Sequence, residues 1–234
     1  MRDYIILNGV SSTTISGLLI QNLPPISKPK QRVNVEEIDG RNGDIVTYLG
    51  YGAYDKQFKI GLYGSYDVDE IIEYFNSQGT VTFSNEEDKY YNYQIIEQID
   101  FDKLIRYKEA IVKMHMQPFK YSAEDNQKIF TIDDETSIQI RNAGNIYSRP
   151  VLTITGSGTI NLSLNGNQIF VIDMGNYTSI TIDTNNMNAY NGSNLLNRNV
   201  TGDYDDFQLN VGKNTISWTG TITQIEIDNY SRWI

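Results

Sequence analysis

Between Arg106 and Gln117 the residues alternate, with Ala110, Val112, Met114 and Met116 interleaved with Ile111, Lys113, His115 and Gln117. A period of two sends successive side chains to opposite faces, so this stretch reads as a strand with one face in a core. Such a strand needs pairing partners, and the preceding segments supply them. Thr80–Phe83 is β-prone, Ser84–Lys89 is a polar turn, and Tyr90–Ile99 is an aromatic and β-branched run. A charged joint connects that run to the alternating stretch. Pro118 has no backbone donor, so the strand is expected to stop there.

The rest of the chain extends the β pattern. Tyr4–Leu7 and Leu18–Gln21 are expected strands, the first followed by an Asn8-Gly9 turn. The prolines in Leu23–Pro29 force an extended connection. Gln31–Ile38 and Asp44–Leu49 read as a hairpin around Asp39, Gly40, Arg41, Asn42 and Gly43, whose two glycines and asparagine accept positive φ. An arginine on that tip could reach a neighbouring subunit or stand in solvent. Tyr54–Leu62 alternates cleanly. One helix is expected, capped by Asp67, with Val68, Ile71, Ile72 and Phe75 as its apolar stripe and Gly79 just past its end. After residues 120–130 short strands recur: Ile129–Ile132, Ser137–Ile140, Val151–Thr155, Ile160–Leu164, Gln168–Asp173, Ser179–Asp183, Phe207–Val211, Thr215–Thr219 and Thr221–Asp228. Asn165-Gly166 is the strongest hairpin signal among them, and Gly212-Lys213-Asn214 is a further expected turn. Many short strands at near-regular spacing indicate a sandwich or barrel. The expected organisation is two mainly β domains, residues 1–125 and 126–234.

Composition narrows the chemistry. The 234 residues carry a net charge of −10, and both halves are acidic, which argues against binding nucleic acid through phosphates. With no cysteine and one histidine, disulfides and thiol catalysis are excluded, while a catalytic triad or a zinc site would have to rely on His115. Acidic clusters at Glu36/Glu37, Glu86/Glu87/Asp88, Asp133/Asp134/Glu135 and Asp203/Asp205/Asp206 lie in turns or at strand ends, where solvated charge is the ordinary outcome. The last lacks the glycine and distal glutamate of a calcium loop. No apolar run approaches the ~20 residues of a membrane span. Neither catalytic nor cofactor-binding residues are expected, and the function is sought in assembly.

The stretch Phe83–Tyr121, FSNEEDKYYNYQIIEQIDFDKLIRYKEAIVKMHMQPFKY, resembles the core of the distal tail protein (Dit) family of long-tailed bacteriophages and prophages. So do NGVSS, LLIQNLPPISKPKQRV, IDGRNGD and YDKQFKI before it or within the first half, and GNIYSRPVLTITGSG, SLNG, ITID, NRNVTGDY and the terminal SRWI after it. The resemblance runs in order through nearly the whole chain. It implies a β-sandwich or barrel-like N-terminal domain with one helix that closes a homohexameric ring, and a galectin-like C-terminal β-sandwich projecting outward. It places the ring at the distal end of the virion tail. The partners implied are the tail tube protein and the tail-associated hub or lysin protein, with the tape measure protein as a further candidate, and DNA passing through the centre without specific binding. The alternative is a carbohydrate-binding adhesion module, in which Trp218 and Trp233 would stack on cell-wall sugars. There is no room for the carbohydrate-binding insert that some relatives carry.

Overall fold

The computed structural model describes residues 2–123, 127–228 and 231–234. The chain forms two compact units, one up to Ala123 and one after it. The domain boundary expected between residues 125 and 126 lies outside the described residues.

In the first unit β1 (Ile5–Leu7), β2 (Val10–Ser11), β3 (Leu18–Ile20), β6 (Tyr54–Leu62), β7 (Gln78–Phe83), β8 (Lys89–Gln94) and β9 (Glu109–Ser122) pair antiparallel in the order β2-β1-β7-β8-β9-β6-β3. Two further strands, β4 (Gln31–Glu36) and β5 (Ile45–Tyr51), pair only with one another. The alternation in β9 is realised: Ala110, Val112, Met114 and Met116 are buried, and they meet Phe58, Ile60, Tyr91 and Phe83 in one core. Asn8 and Gly9 turn with φ of 49° and 84°, as an Asn-Gly pair does in a tight hairpin.

Pro118 does not end β9, which continues to Ser122. The register against β8 slips there, since Tyr93 faces Met116 whereas Tyr91 faces Lys120. A bulge leaves a residue unpaired, so a proline at that point costs no ladder bond.

Helix α1 (Val68–Tyr74) starts where Asp67 accepts hydrogen bonds from the backbone of Asp69 and Glu70 at 2.9 and 3.4 Å. It buries Ile71 and Tyr74, and Phe75 just past its end, whereas Ile72 is exposed. Gly79 lies not at the helix end but inside β7, where a Cβ would collide with the Asn8 side chain. A second helix, α2 (Phe101–Tyr107), occupies the charged joint, where no helix was expected. Asp100 caps it, accepting from the Lys103 backbone at 2.8 Å, and Lys108 in the left-handed region ends it. Leu104 is its one buried residue, with Phe101 partly buried against the same core and Ile105 exposed, so the short Phe101, Leu104, Ile105 stripe is only partly used.

The second unit contains β10 (Lys128–Thr131), β11 (Ser137–Asn142), β12 (Val151–Leu164), β13 (Asn167–Asp173), β14 (Ser179–Asp183), β15 (Asn188–Asn191), β16 (Asn194–Leu195), β17 (Val200–Gly202) and β18 (Gly212–Asp228). Val151–Thr155 and Ile160–Leu164, expected as separate strands, are the two halves of β12, and β18 likewise runs unbroken through Gly220. Each long strand changes partner midway. β12 pairs with β14 through Val151–Thr155 and with β13 through Thr159–Leu164. β18 pairs with β11 through Gly212–Ser217 and with β10 through Gln224–Ile227. Between the halves the β12–β18 register breaks. The sheet thus creases into two layers whose facing side chains, among them Ile154, Ile180 and Ile225 from one and Leu162, Phe170 and Trp218 from the other, form one core.

Glycine makes the crease possible. Gly220 has φ +102°, and a Cβ there would lie 2.4 Å from the Thr159 carbonyl oxygen; one at Gly156 would lie 2.2 Å from that of Thr221. Gly220→Ala should therefore cost about 1–3 kcal/mol through backbone strain alone. The check is the thermal transition of this unit, and an unshifted transition would count against the crease.

Phe207–Val211 is not a strand. Phe207 and Leu209 are buried, but the segment makes only isolated bridges, Ser148 to Leu209 and Asn142 to Val211. The Asn214 side chain takes both backbone groups of Asn210, at 2.9 and 2.8 Å, in place of a ladder. Asn214 also lies within β18, so the turn expected at Gly212-Lys213-Asn214 is instead the start of a strand.

Candidate assembly interface

The β4–β5 ribbon stands apart from the main sheet. Every residue of β4 is exposed, as is all of β5 except its partly buried ends. Val33 faces Tyr48 and Val35 faces Val46 across the ribbon, so these four share one face. Their exposures are 40%, 68%, 50% and 45%, with Ile38 and Leu49 exposed beside them. Asn34 and Thr47 lie on the opposite face. A lone two-stranded ribbon is marginal in water, and apolar patches on a surface mark contact sites.

Asp39, Gly40, Arg41, Asn42 and Gly43 form the exposed tip of this arm. Gly40 and Gly43 have φ of +81° and +79°, and the Arg41 amide donates to the Ile38 carbonyl at 3.1 Å. The sequence locates the hairpin and its tip but not its separation from the sheet, because exposed valines in a strand read the same as half-buried ones.

The base of the arm is fixed. Gln21 and Lys59 hold the start of the extended strap to β6: the Gln21 amide donates to the Lys59 carbonyl, and Asn22 Oδ1 accepts from the Lys59 amide at 2.8 Å. Asn85 Nδ2 donates to the Pro24 carbonyl at 3.4 Å, and Lys56 Nζ to that of Pro25 at 2.6 Å. The Gly52 amide closes the ribbon on the Lys30 carbonyl, and Tyr51 meets Phe119 edge-on at 5.8 Å.

Behind the strap is a buried charged cluster. Lys56 is 4% exposed, and its ammonium lies 5.2 Å from the Tyr91 ring centroid and 5.8 Å from those of Tyr54 and Phe83. Glu86 accepts from Lys120 Nζ at 2.7 Å and from the Tyr91 hydroxyl at 2.5 Å, with little side-chain exposure on either Glu86 or Lys120. Glu86 is thus not the solvated charge its acidic neighbours suggested. Burial pushes the Tyr54 phenol up to about 12, and its hydroxyl has no partner among the described residues. Burial also brings Lys56 down to about 8, against the pull of Glu86.

Lys56 gives the fold a defined pH dependence. Between about 8 and 10.5 the folded chain has released a proton that the unfolded chain still holds, so stability should rise with pH across that window. The full span is on the order of 3 kcal/mol. Urea midpoints measured from pH 7 to 10.5 should show the rise in the native chain relative to Lys56→Met; parallel profiles would contradict it.

The other candidates separate cleanly. Trp218 is buried in the sandwich core at 5% exposure, so its ring has no face to offer a sugar, and Trp233 is half-buried. His115 lies on the outer face of β9, its Nδ1 2.8 Å from Asp55. Hydrogen bonds from His115 and then Lys113 hold the Asp55 carboxyl below its usual range. Asp203 caps a short 3-10 turn, Tyr204–Asp206, accepting from the Asp205 amide at 2.8 Å. Among the described residues no three His, Asp or Glu side chains are grouped to hold a metal ion, and no helix is long and apolar enough to cross a membrane.

No family model matches the sequence, and no curated protein matches it. Solved structures do. The chain is similar to the SPP1 Dit (gp 19.1) protein, a paradigm of the hub adsorption apparatus in phages infecting Gram-positive bacteria. The two share 14% identity with a TM-score of 0.66, over 97% of this chain and 99% of that one. It also aligns with chains of the phage P2 baseplate in its activated conformation, with Ca at a TM-score of 0.48 and with Sr at 0.47, each at 12% identity over 97% of both chains. At the level of backbone architecture, two β units with a free-standing ribbon on the first, this chain has the fold of a phage distal tail (Dit) protein.

Proposed function

We propose that this chain is a non-enzymatic hub of a phage tail tip or baseplate, six copies of which close a ring at the distal end of the tail. The ring joins the tail tube protein to the tail-associated hub or lysin protein, and the tape measure protein reaches it from the tube side. The observation that carries this reading is the β4–β5 arm, a ribbon on a fixed base whose apolar face is left uncovered among the described residues. A second copy is the natural cover. A closed ring requires the contact to be head to tail, the arm of one copy against a different surface of the next, and such contacts close when the rotation fits. The tip residues Asp39–Gly43 reach furthest toward the neighbour. The net charge of −10 suits a wall past which DNA slides without sticking. Native mass measurement with negative-stain imaging tests the reading. Rings of six copies are expected, and a strict monomer at every concentration and salt would overturn it.

A further inference from the structure

Four asparagines in this chain are followed by glycine: Asn8, Asn42, Asn165 and Asn191. Asparagine is a thermolabile residue, and a glycine after it leaves the next backbone nitrogen unshielded by any side chain. The four pairs share that local chemistry, but the fold holds three of them and leaves one free.

The held pairs sit where strands turn back on one another, β1 to β2, β12 to β13 and β15 to β16. Asn8 Oδ1 accepts from the Thr80 amide at 2.8 Å, and its Nδ2 donates to the Gln78 carbonyl at 3.5 Å. Asn165 Oδ1 accepts from the Thr215 amide at 2.9 Å, and its Nδ2 donates to Asn214 Oδ1 at 3.0 Å. Asn191 Nδ2 donates to the Ser179 carbonyl at 2.8 Å and to Ser179 Oγ at 3.0 Å. None of these side chains can turn toward its own backbone without giving up bonds. Asn42 has no such restraint. Among the described residues its side chain has no hydrogen-bond partner, and the Gly43 amide donates to none. Both residues are exposed, in the open loop between Glu36 and Ile45. Nothing lies within 4 Å of where a Cβ on Gly43 would stand, so the backbone there has room to swing.

The geometry points to Asn42 as a site of spontaneous deamidation, selected by the fold over the other three pairs. The Gly43 amide loses its proton to hydroxide, and its nitrogen attacks Asn42 Cγ. The new N–C bond closes a succinimide as the Cγ–Nδ2 bond breaks, and Nδ2 takes a proton from water and leaves as ammonia. Water then opens the imide on either side, leaving aspartate or isoaspartate. The sum is amide plus water to carboxylate plus ammonium, with water and hydroxide as the only co-reactants. Either product adds a negative charge to a tip that already holds Asp39 and Asp44 around Arg41, and isoaspartate also lengthens the backbone by a methylene. The site does not depend on ring formation.

The test is a time course on the full native chain at mildly alkaline pH, read by peptide mapping with mass spectrometry for the mass gain of amide-to-acid exchange. Asn42 should convert about tenfold faster or more than Asn8, Asn165 or Asn191, because two hydrogen bonds must open at each of those before attack. In urea strong enough to unfold the chain, the four rates should draw together. Asn42→Gln should abolish the reaction at this position, since its longer side chain would have to close a larger ring, and it should leave the thermal transition unmoved. An unmodified Asn42, equal conversion at the three held pairs, or a preference undiminished in urea would each overturn the assignment, the last by placing the cause in neighbouring residues rather than in the fold.

Discussion

If the arm closes the proposed ring, Val35→Lys combined with Val46→Glu should leave a folded protein that no longer assembles into it. The two residues face one another across the arm, so the new charges attract, and the ribbon keeps a favourable cross-strand pair. The face they create is charged, however, and cannot be covered by apolar surface without desolvating both groups. The two valines are about half exposed in the single chain, so losing their burial from each contact removes roughly 1.5–3 kcal/mol. That is about ten- to a hundredfold in each association step, before any charge is buried. Because a ring repeats the contact, native mass should fall to that of the single chain. Both positions are exposed in the isolated chain, so the thermal transition should move by no more than about 0.5 kcal/mol. A ring of unchanged mass would show that the arm is not the closing element.

The second large effect is expected at Glu86. Its carboxylate is the counterion of Lys120 and accepts the Tyr91 hydroxyl, all within a little-exposed cluster that also holds Lys56. Glu86→Ala leaves two buried ammonium groups without an anion and should cost about 3–5 kcal/mol in urea unfolding. Replacing Glu86 and Lys120 together with Leu and Met should cost much less, because buried ion pairs repay little beyond their own desolvation. The contrast is the diagnostic. If Glu86→Ala costs under about 1 kcal/mol, the cluster is better hydrated than its burial implies. The same variant should loosen the strap, since Lys56 and Asn85 hold its two prolines from this site.

Local chemistry made much of this molecule legible. The β9 alternation, the Asn8-Gly9 and Asn165-Gly166 turns with their positive φ, and the Asp67 cap all act within a few residues of chain. The failures share a cause, namely partners far away in sequence. Pro118 is tolerated because a register slip against Tyr91 and Tyr93 removes the bond it could not make. Glu86 looked solvated among Glu87 and Asp88 because Lys120 is 34 residues distant. Gly156 and Gly220 read as strand ends, yet each lets a strand pass close to a carbonyl of the other long strand. Trp218 attracted attention only because a buried ring and an exposed one are spelled alike. The arm was visible as a hairpin, but its detachment from the sheet was not.

The crease has a mechanical consequence for the second unit. Both layers of the sandwich own half of the same two strands, so neither can come undone while the other remains intact. Slow amide exchange in β11 and β14, which sit in different layers, should report one shared opening event rather than two. A unit built this way yields all at once or not at all, so its resistance to unfolding is set by the whole sandwich rather than by its weaker layer.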